Sequence, residues 1–265
     1  MRNEKIEQYR KLYNSYLPQY SNKELLKSYN KITSNSITEK TDIRALYNNI
    51  IIKNYPIENV IKFSFIKNFC LNKSPNKTTT IFELNALSSR ADICSINGKS
   101  IVYEIKTEFD TFYRLEHQLL DYKKLFQEIY IVIHESKLSE ALKILDTQVG
   151  IISYYQNRMS NIKFKKIREA STNKNIDSRS QLLTLTKNQL LKRYKNLYND
   201  NKEIFISNIL EATNKKDITS FFNDCMKDKY QKKWRFIHKN QKNIYPLDFQ
   251  WFFKNTVSTK LVYRW

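Results

Sequence analysis

The sequence predicts an α/β (α+β) protein, in which a mixed sheet is flanked by helices and followed by a basic, mainly helical C-terminal region. Three observations support this fold class. The pair Asn97-Gly98 joins two segments of alternating apolar residues, which is typical of a β-hairpin. Residues 129–133 are an apolar, β-branched run of the kind found in buried strands. From residue 181 onward, apolar residues recur at helical spacing.

The first elements are helices. Residues 1–35 alternate charged and aromatic side chains at helical spacing, and Ser21 is placed to cap a helix. Asp42 indicates the start of another helix, from Ile43 to about Lys53, ahead of a proline at position 56.

The hairpin consists of strands predicted over residues 90–96 and 99–106. Gly98 supplies the positive φ that such a turn requires. With Asn97-Gly98 as a two-residue type I′ turn, Ile96 pairs with Lys99.

That register has a consequence for the acidic residues of the hairpin. It places Asp92 opposite Tyr103, one position away from Glu104. We therefore expect a bulge or twist to bring the two carboxylates into line.

Further elements lie along the rest of the chain. A helix is predicted from Asp110-Thr111 to about Gln127, and another over residues 136–145. Short strands are predicted at 149–154 and 161–166, and C-terminal helices at 181–198, 203–212 and 218–226. The aromatic run at 249–253 is expected to be core or interface. The chain then divides into an N-terminal helical segment (1–40), an α/β domain (41–170) and a basic helical region (181–265).

The charge points to a polyanionic partner. The chain has 46 Lys and Arg against 26 Asp and Glu, a net charge of +20. Residues 161–265 hold 23 basic and 9 acidic residues, a net charge of +14, so we expect the C-terminal region to supply most of the attraction for nucleic acid. The alternative is composition drift, because the chain is rich in the Lys, Asn, Ile and Tyr that an AT-rich genome favours.

Scarce residue types exclude several classes. The two glycines, at positions 98 and 150, are too few and too far apart to build a Rossmann fingerprint, a P-loop or a nucleophile elbow. Three cysteines without a CxxC pair argue against a zinc ribbon or disulfide framework. With no apolar run long enough for a membrane span and no signal-peptide pattern, we expect a cytoplasmic protein without membrane contact.

The hairpin also carries the candidate chemistry. Side chains alternate along a strand, so Glu104 and Lys106 share one face. If Asp92 joins them, two carboxylates can bind a hard divalent cation such as Mg²⁺, with a lysine beside it to stabilise negative charge. The ordinary alternatives are a surface ion pair between Glu104 and Lys106, and pairing of Asp92 with Arg90.

Asp92 followed by Glu104-Ile105-Lys106 resembles the PD-(D/E)XK nuclease superfamily, although Ala91 stands where the superfamily name has proline. The resemblance implies a restriction-endonuclease-like αβββαβ core over residues 41–133. It also implies a nuclease that uses Mg²⁺ or Mn²⁺, with Asp92 and Glu104 as metal ligands and Lys106 as a catalytic residue.

Other residues extend the resemblance. Glu83 is the candidate for a further upstream metal ligand, and Gln118 with Tyr122 matches the Gln-x-x-x-Tyr motif of RecB-like members. Together with Arg90 and Arg114, these residues also resemble an uncharacterised bacterial family within the superfamily. Gln118 and Tyr122 are thereby implied at the catalytic site, whereas a core tyrosine and a solvated glutamine are the ordinary alternatives.

Nucleic-acid contacts are expected from two regions. Arg90 and Arg114 lie next to the motif residues. The second region interleaves basic and aromatic residues, a composition that can contact phosphates and stack on bases: Lys232, Lys233, Trp234, Arg235 and Lys239. An amphipathic helix with a basic rim is the alternative for this second region.

The sequence thus predicts a metal-dependent nuclease that hydrolyses phosphodiester bonds of DNA, in defence, restriction or repair. The alternative is a non-catalytic DNA-binding regulator or adaptor on a nuclease-derived fold. RNA as substrate and the oligomeric state are left open by the sequence.

Overall fold

The computed structural model describes residues 2–55 and 57–253. It is a mixed α/β structure with a six-stranded sheet in the order β1-β2-β3-β4-β5-β6, which confirms the predicted class. The strands are β1 (Thr79–Ala86), β2 (Ser89–Asn97), β3 (Lys99–Lys106), β4 (Glu128–His134), β5 (Gly150–Gln156) and β6 (Ile162–Arg168). β1 pairs antiparallel with β2 and β2 with β3, whereas β3 and β4 are parallel, so the sheet is mixed.

Along the chain, helices come before, between and after these strands. They are α1 (Arg2–Ser15), α2 (Asn22–Thr33), α3 (Ile43–Asn54), α4 (Glu58–Phe69), α5 (Leu115–Leu125), α6 (Leu138–Ile144), α7 (Ser178–Thr184), α8 (Lys187–Tyr194), α9 (Lys202–Ala212), α10 (Lys215–Asn240) and α11 (Phe249–Phe253). Ser21 caps α2 in a capping box with Glu24, and the Asp42 carboxylate accepts the Ala45 N–H at the start of α3. Both predicted caps are confirmed.

The β2–β3 hairpin is tighter than the sequence predicts. Asn97 pairs with Lys99 and Ile96 with Ser100, so only Gly98 connects the strands. Gly98 has the expected positive φ, 71°. The expected pairing of Ile96 with Lys99 is wrong by one residue, because Asn97 continues β2 instead of forming half of a two-residue turn.

Several predicted helix limits change. α5 begins at Leu115, because the Asp110 carboxylate accepts the Thr107 N–H at 2.7 Å and closes a turn instead of capping the helix. The helix expected over 181–198 is two helices, α7 and α8, separated where Thr186 caps α8. The helix expected over 218–226 is part of the much longer α10.

The chain forms two compact units. One contains residues 1–72, 154–164 and 236–265, and the other contains residues 73–153 and 165–235. The three segments expected from the sequence therefore do not correspond one to one with these units. Among the described residues, no helix has the length and apolar character that a membrane crossing requires.

Each unit has its own core. In the first, the rings of Tyr16 and Tyr29 pack against Tyr47, with centroids 5.4 and 5.6 Å apart. In the second, buried residues of β1 to β5 pack with those of α5 and of α7 to α10, including the contact of Phe126 with Phe222. In the aromatic run at 249–253, three rings are buried as expected: Phe249, Phe252 and Phe253.

Both glycines should resist replacement, for different reasons. A Cβ on Gly150 would lie 2.4 Å from the Tyr130 ring and 2.8 Å from the Ala170 backbone nitrogen. Gly150→Ala should therefore lower the free energy of unfolding by about 1–3 kcal/mol, as overpacking does. Gly98 has open space around it, so Gly98→Ala should cost only about 1–2 kcal/mol, from its positive φ.

Urea or thermal unfolding measures both effects, and Gly98→Asn is the matched control because asparagine adopts positive φ more readily. It should be milder than Gly98→Ala. Equal stability of the Gly150→Ala variant and the unmodified chain would contradict the close approach of Tyr130.

Candidate functional site

Three acidic residues lie in a row across β1, β2 and β3. The residues on either side of Glu83 pair with those on either side of Asp92, which places these two opposite each other. One position beyond the Ile93–Tyr103 pair, Asp92 is level with Glu104. Opposed residues of antiparallel strands point to the same side of a sheet. The observed hairpin register differs from the predicted one by one residue, and this difference makes Asp92 level with Glu104. The prediction that a bulge or twist aligns the two carboxylates is therefore wrong.

Asp92 is fixed by a hydrogen bond to the neighbouring strand. Its Oδ2 accepts the backbone N–H of Ile105 at 2.7 Å, and the side chain is buried. This bond lies just beyond Ile93, where the paired register of β2 with β3 ends. The carboxylate thus satisfies a buried backbone donor and is held beside β3 at the same time.

Glu83 has an unusual backbone conformation. Its φ is 47°, in the left-handed region that a non-glycine residue occupies at a cost. A carboxylate oxygen of Glu83 lies within 4.8 Å of one of Asp92. Glu83 also forms an ion pair with Arg90, whose Nε lies 2.8 Å from Glu83 Oε2. Strain of this kind is concentrated at functional sites in proteins.

Glu104 is the centre of a hydrogen-bond network. Its Oε1 accepts from Lys106 Nζ at 2.9 Å and from Gln118 Nε2 at 2.7 Å. Its Oε2 lies 2.7 Å from the Tyr122 hydroxyl. Lys106 Nζ also donates to Gln118 Oε1 at 2.9 Å. Four of the sequence-predicted site residues are thus joined in one network. Glu104 is only 3% exposed, which excludes the simple surface ion pair.

The surroundings of Glu104 favour its protonated form. Burial, with the negative charge of Asp92 as the next cause, raises the pKa of Glu104 to about 7. Lys106 and Tyr122 act in the opposite direction, since they stabilise the charged carboxylate. Burial beside Glu104 also raises the pKa of Tyr122 well above its usual range, so its hydroxyl remains a donor.

Helix α5 presents Gln118 and Tyr122 to the strands. Tyr122 is fully buried and is both a core residue and a Glu104 partner, so the two interpretations of this tyrosine are compatible. Its hydroxyl also lies 3.0 Å from the carbonyl oxygen of Arg90 on β2. Arg114, one of the residues expected to contact nucleic acid, is exposed and lies at the N-cap of α5.

A second set of contacts to α5 is not predicted by the sequence. Asp121 is buried and its Oδ2 accepts the hydroxyls of Ser88 and Ser89, both at 2.7 Å. These bonds join α5 to the turn between β1 and β2, one residue before Tyr122. The position of Asp121 inside the Gln-x-x-x-Tyr motif is the only sequence signal that could have indicated this contact.

The basic residues expected to contact nucleic acid lie along α10. Lys232, Arg235 and Lys239 are exposed, while burial lowers the pKa of Lys233 to about 8. Trp234 does not belong with them: it is fully buried and packs edge-on against Phe82, with ring centroids 6.2 Å apart. Its expected role in base stacking is wrong, because its ring already fills the core. The amphipathic alternative describes this part of the helix.

The repulsion between Asp92 and Glu104 gives a pH-dependent prediction. The pKa of Glu104 is raised from 4.5 to about 7, so its contribution to stability is present below pH 4.5 and lost as pH rises towards 7. Asp92→Asn removes one cause of that shift while its amide oxygen can still accept the Ile105 N–H. In EDTA, this variant should gain about 1.4 kcal/mol for each unit by which the pKa of Glu104 falls.

Urea unfolding at pH 5 and pH 8 measures the effect, and the gain should be larger at pH 8. Asp92→Ala is the matched control, because it also removes the repulsion but leaves the buried Ile105 N–H without its acceptor, a cost of about 1–3 kcal/mol. A gain of the same size at both pH values would show that the carboxylates do not repel each other.

Comparison with known proteins places the chain in a family. Residues 52–252, which include the whole carboxylate row and α5, match the family described as Bacteriophage P4 protein cII. One relative is protein cII of Enterobacteria phage P4, 35% identical over 82 residues, which is 31% of this chain and 31% of that protein. A solved structure of a protein of unknown function from Silicibacter pomeroyi aligns at 15% identity over 41% of this chain and 70% of that chain, with a TM-score of 0.30. Because the family match covers most of the length of this chain, the chain belongs to the Bacteriophage P4 protein cII family.

Proposed function

We propose that this protein is a metal-dependent nuclease that hydrolyses phosphodiester bonds of DNA, with a site of the PD-(D/E)XK type. One observation carries the proposal: Glu83, Asp92 and Glu104 form a row across three strands, and Lys106 contacts the innermost carboxylate. A row of carboxylates costs stability through repulsion unless a cation compensates it. The presence of such a row in the folded protein therefore supports a site that receives a cation.

The element order supports the same superfamily. A helix, α4, precedes three successive antiparallel strands, then α5 comes next, and β4 returns parallel to β3. This is the αβββαβ order that the motif residues imply. Element order and site residues together therefore support a restriction-endonuclease-like core in this protein.

The donor set fits a hard divalent cation. Glu83 and Asp92 offer carboxylate oxygens within 4.8 Å of each other, the ligand type that Mg²⁺ and Mn²⁺ bind in proteins. Glu104 is level with Asp92 and would exchange one of its protein donors for the ion. These three residues would hold the ion, which would activate water and neutralise charge on the phosphate. Positive charge at this position would also favour the ionised form of Glu104, whose pKa burial has raised.

In this proposal, Lys106 acts on the phosphate. Its Nζ is held by Glu104 and by Gln118 Oε1, so the ammonium has a defined position at the edge of the carboxylate row. A fixed ammonium stabilises negative charge that develops on a phosphate oxygen, without reorganisation at the moment of reaction. Gln118 and Tyr122 orient this pair, because each donates to Glu104.

A second candidate function is a non-catalytic DNA-binding regulator or adaptor. The observation that favours it is that protein donors already contact both oxygens of Glu104 and that Arg90 pairs with Glu83. A carboxylate row neutralised in this way can persist without a metal ion. Added Mg²⁺ distinguishes the two functions, because only the nuclease then cleaves the DNA that it binds.

Lys106→Ala should separate catalysis from binding. Incubated with plasmid and linear DNA, and in parallel with RNA, the unmodified chain should cleave with Mg²⁺ or Mn²⁺ but not in EDTA. The variant should lose about a hundredfold or more of the cleavage rate, as expected for removal of a transition-state charge partner. Its DNA affinity should change little, because one lysine contributes little to the field of a chain with net charge +20.

Lys165→Ala is the matched control, since Lys165 is an exposed lysine of the same unit, on β6. It should cleave normally. Full cleavage by the Lys106 variant would reject the assignment of Lys106, whereas DNA binding without cleavage by the unmodified chain would favour the regulator or adaptor.

Metal binding has a readout that does not depend on cleavage. Ligands that bind the folded state raise its stability, so Mn²⁺ should raise the melting temperature of the unmodified chain in a concentration-dependent way. The double variant Asp92→Ala, Glu104→Ala should fold and lose this response. Glu140→Ala is the control, because Glu140 is an exposed carboxylate on α6. An unchanged Mn²⁺ response in the double variant would place the ion elsewhere.

A further inference from the structure

Two aromatic rings are exposed in the loop between β3 and α5. Phe109 is 86% exposed and Tyr113 is 90% exposed, the highest values among the exposed large hydrophobic residues of the described chain. Rings of this size usually bury most of their surface, and exposed ones are characteristic of binding surfaces.

Local contacts shape the loop that carries these rings. Asp110 Oδ2 accepts the backbone N–H and the hydroxyl of Thr107, both at 2.7 Å. Phe112, between the two exposed rings, is partly buried and packs against the core. The loop is thus anchored by one of its three aromatic residues, while the other two face solvent.

The position of the loop connects it to the candidate site. It begins directly after Lys106 at the end of β3, and it ends at Arg114, where α5 carries Gln118 towards Glu104. A polymer that places a phosphate at Lys106 therefore passes close to this loop.

The composition of the loop indicates what the rings contact. The composition includes Glu108 and Asp110 against Arg114, a net charge of −1, so the loop offers aromatic faces without net attraction for phosphate. The attraction for a polyanion comes from the rest of a chain with net charge +20. Exposed rings beside the position proposed for the phosphate suit the flat faces of bases, which stack on aromatic side chains.

We propose that Phe109 and Tyr113 stack on unpaired bases, so that the DNA strand at the site is single-stranded. This inference rests on the proposed function, because it assigns the substrate class of the same site. In a duplex, the base faces are covered by their neighbours and are not accessible to two loop rings. Stacking is tolerant of sequence, since every base has a π-face.

The test is binding of a fluorescent 15-nucleotide single strand, compared with a second probe of the same length that is abasic at every position. Both are measured in EDTA so that no cleavage occurs. The variant Phe109→Leu, Tyr113→Leu keeps apolar side chains but removes both rings. It should bind the intact strand about tenfold more weakly for each ring that stacks. It should bind the abasic strand and a blunt duplex as the unmodified chain does.

Two controls make the result specific. Phe109→Trp, Tyr113→Trp keeps rings at both positions and should retain single-strand affinity. Leu142→Ala, Ile144→Ala removes two exposed apolar side chains from α6 and its end and should have no effect. The slope of log K against log salt should be the same in all variants, because no phosphate contact is removed.

Full single-strand affinity in the leucine variant would overturn the proposal, as would an equal loss for the duplex or for the abasic strand. Failure of the unmodified chain to bind single strands would overturn it as well. The proposed function fails separately: ring-dependent binding with no cleavage in Mg²⁺ or Mn²⁺ would reject the nuclease and leave the stacking surface.

Discussion

The hydrogen bond from the Ile105 backbone N–H to Asp92 is the interaction on which the rest of the site depends. It exists because Gly98 alone turns the β2–β3 hairpin, which sets the register that makes Asp92 level with Glu104. A shift of one residue would move one of these carboxylates to the other face of the sheet. Parallel pairing of β3 with β4 then fixes β3 from its other side, with Glu104 opposite Ile131. The geometry of the carboxylate row is therefore set by backbone pairing together with this one side-chain hydrogen bond.

This arrangement destabilises the folded protein, and contacts elsewhere in the same unit offset that destabilisation. Two buried carboxylates repel each other, and Glu83 occupies a left-handed conformation. Helix α5 compensates by bringing the amide of Gln118 and the hydroxyl of Tyr122 to Glu104. The bonds of Asp121 to the β1–β2 turn hold the same helix in register with the strands. Stability and candidate chemistry thus share the same residues, as is common where a site needs a destabilised arrangement.

Local patterns in the sequence predict much of this unit. Residues 90–96 and 99–106 form strands and Gly98 has positive φ, as expected. The contacts of Gln118 and Tyr122 with Glu104 are not predicted in themselves; the resemblance implies only that both residues belong to the site. The register differs from the prediction because Asn-Gly usually forms a two-residue turn, and only pairing along the whole strand decides otherwise. The role predicted for Trp234 is wrong for another reason. The sequence shows that aromatic and basic residues alternate, but only tertiary packing decides that the Trp234 ring lies against Phe82. The contact of Asp121 with two serines likewise joins residues 32 and 33 positions apart, beyond the reach of any local pattern.

The central claim is that the row of Glu83, Asp92 and Glu104 binds a divalent cation. Anomalous diffraction from crystals soaked in Mn²⁺ tests it most directly, because the signal locates the ion without reference to activity. We predict one strong peak within coordination distance of Asp92 and Glu104, absent from crystals of the Asp92→Ala, Glu104→Ala variant. A strong peak elsewhere, or none at Mn²⁺ concentrations that raise the melting temperature, would contradict the account.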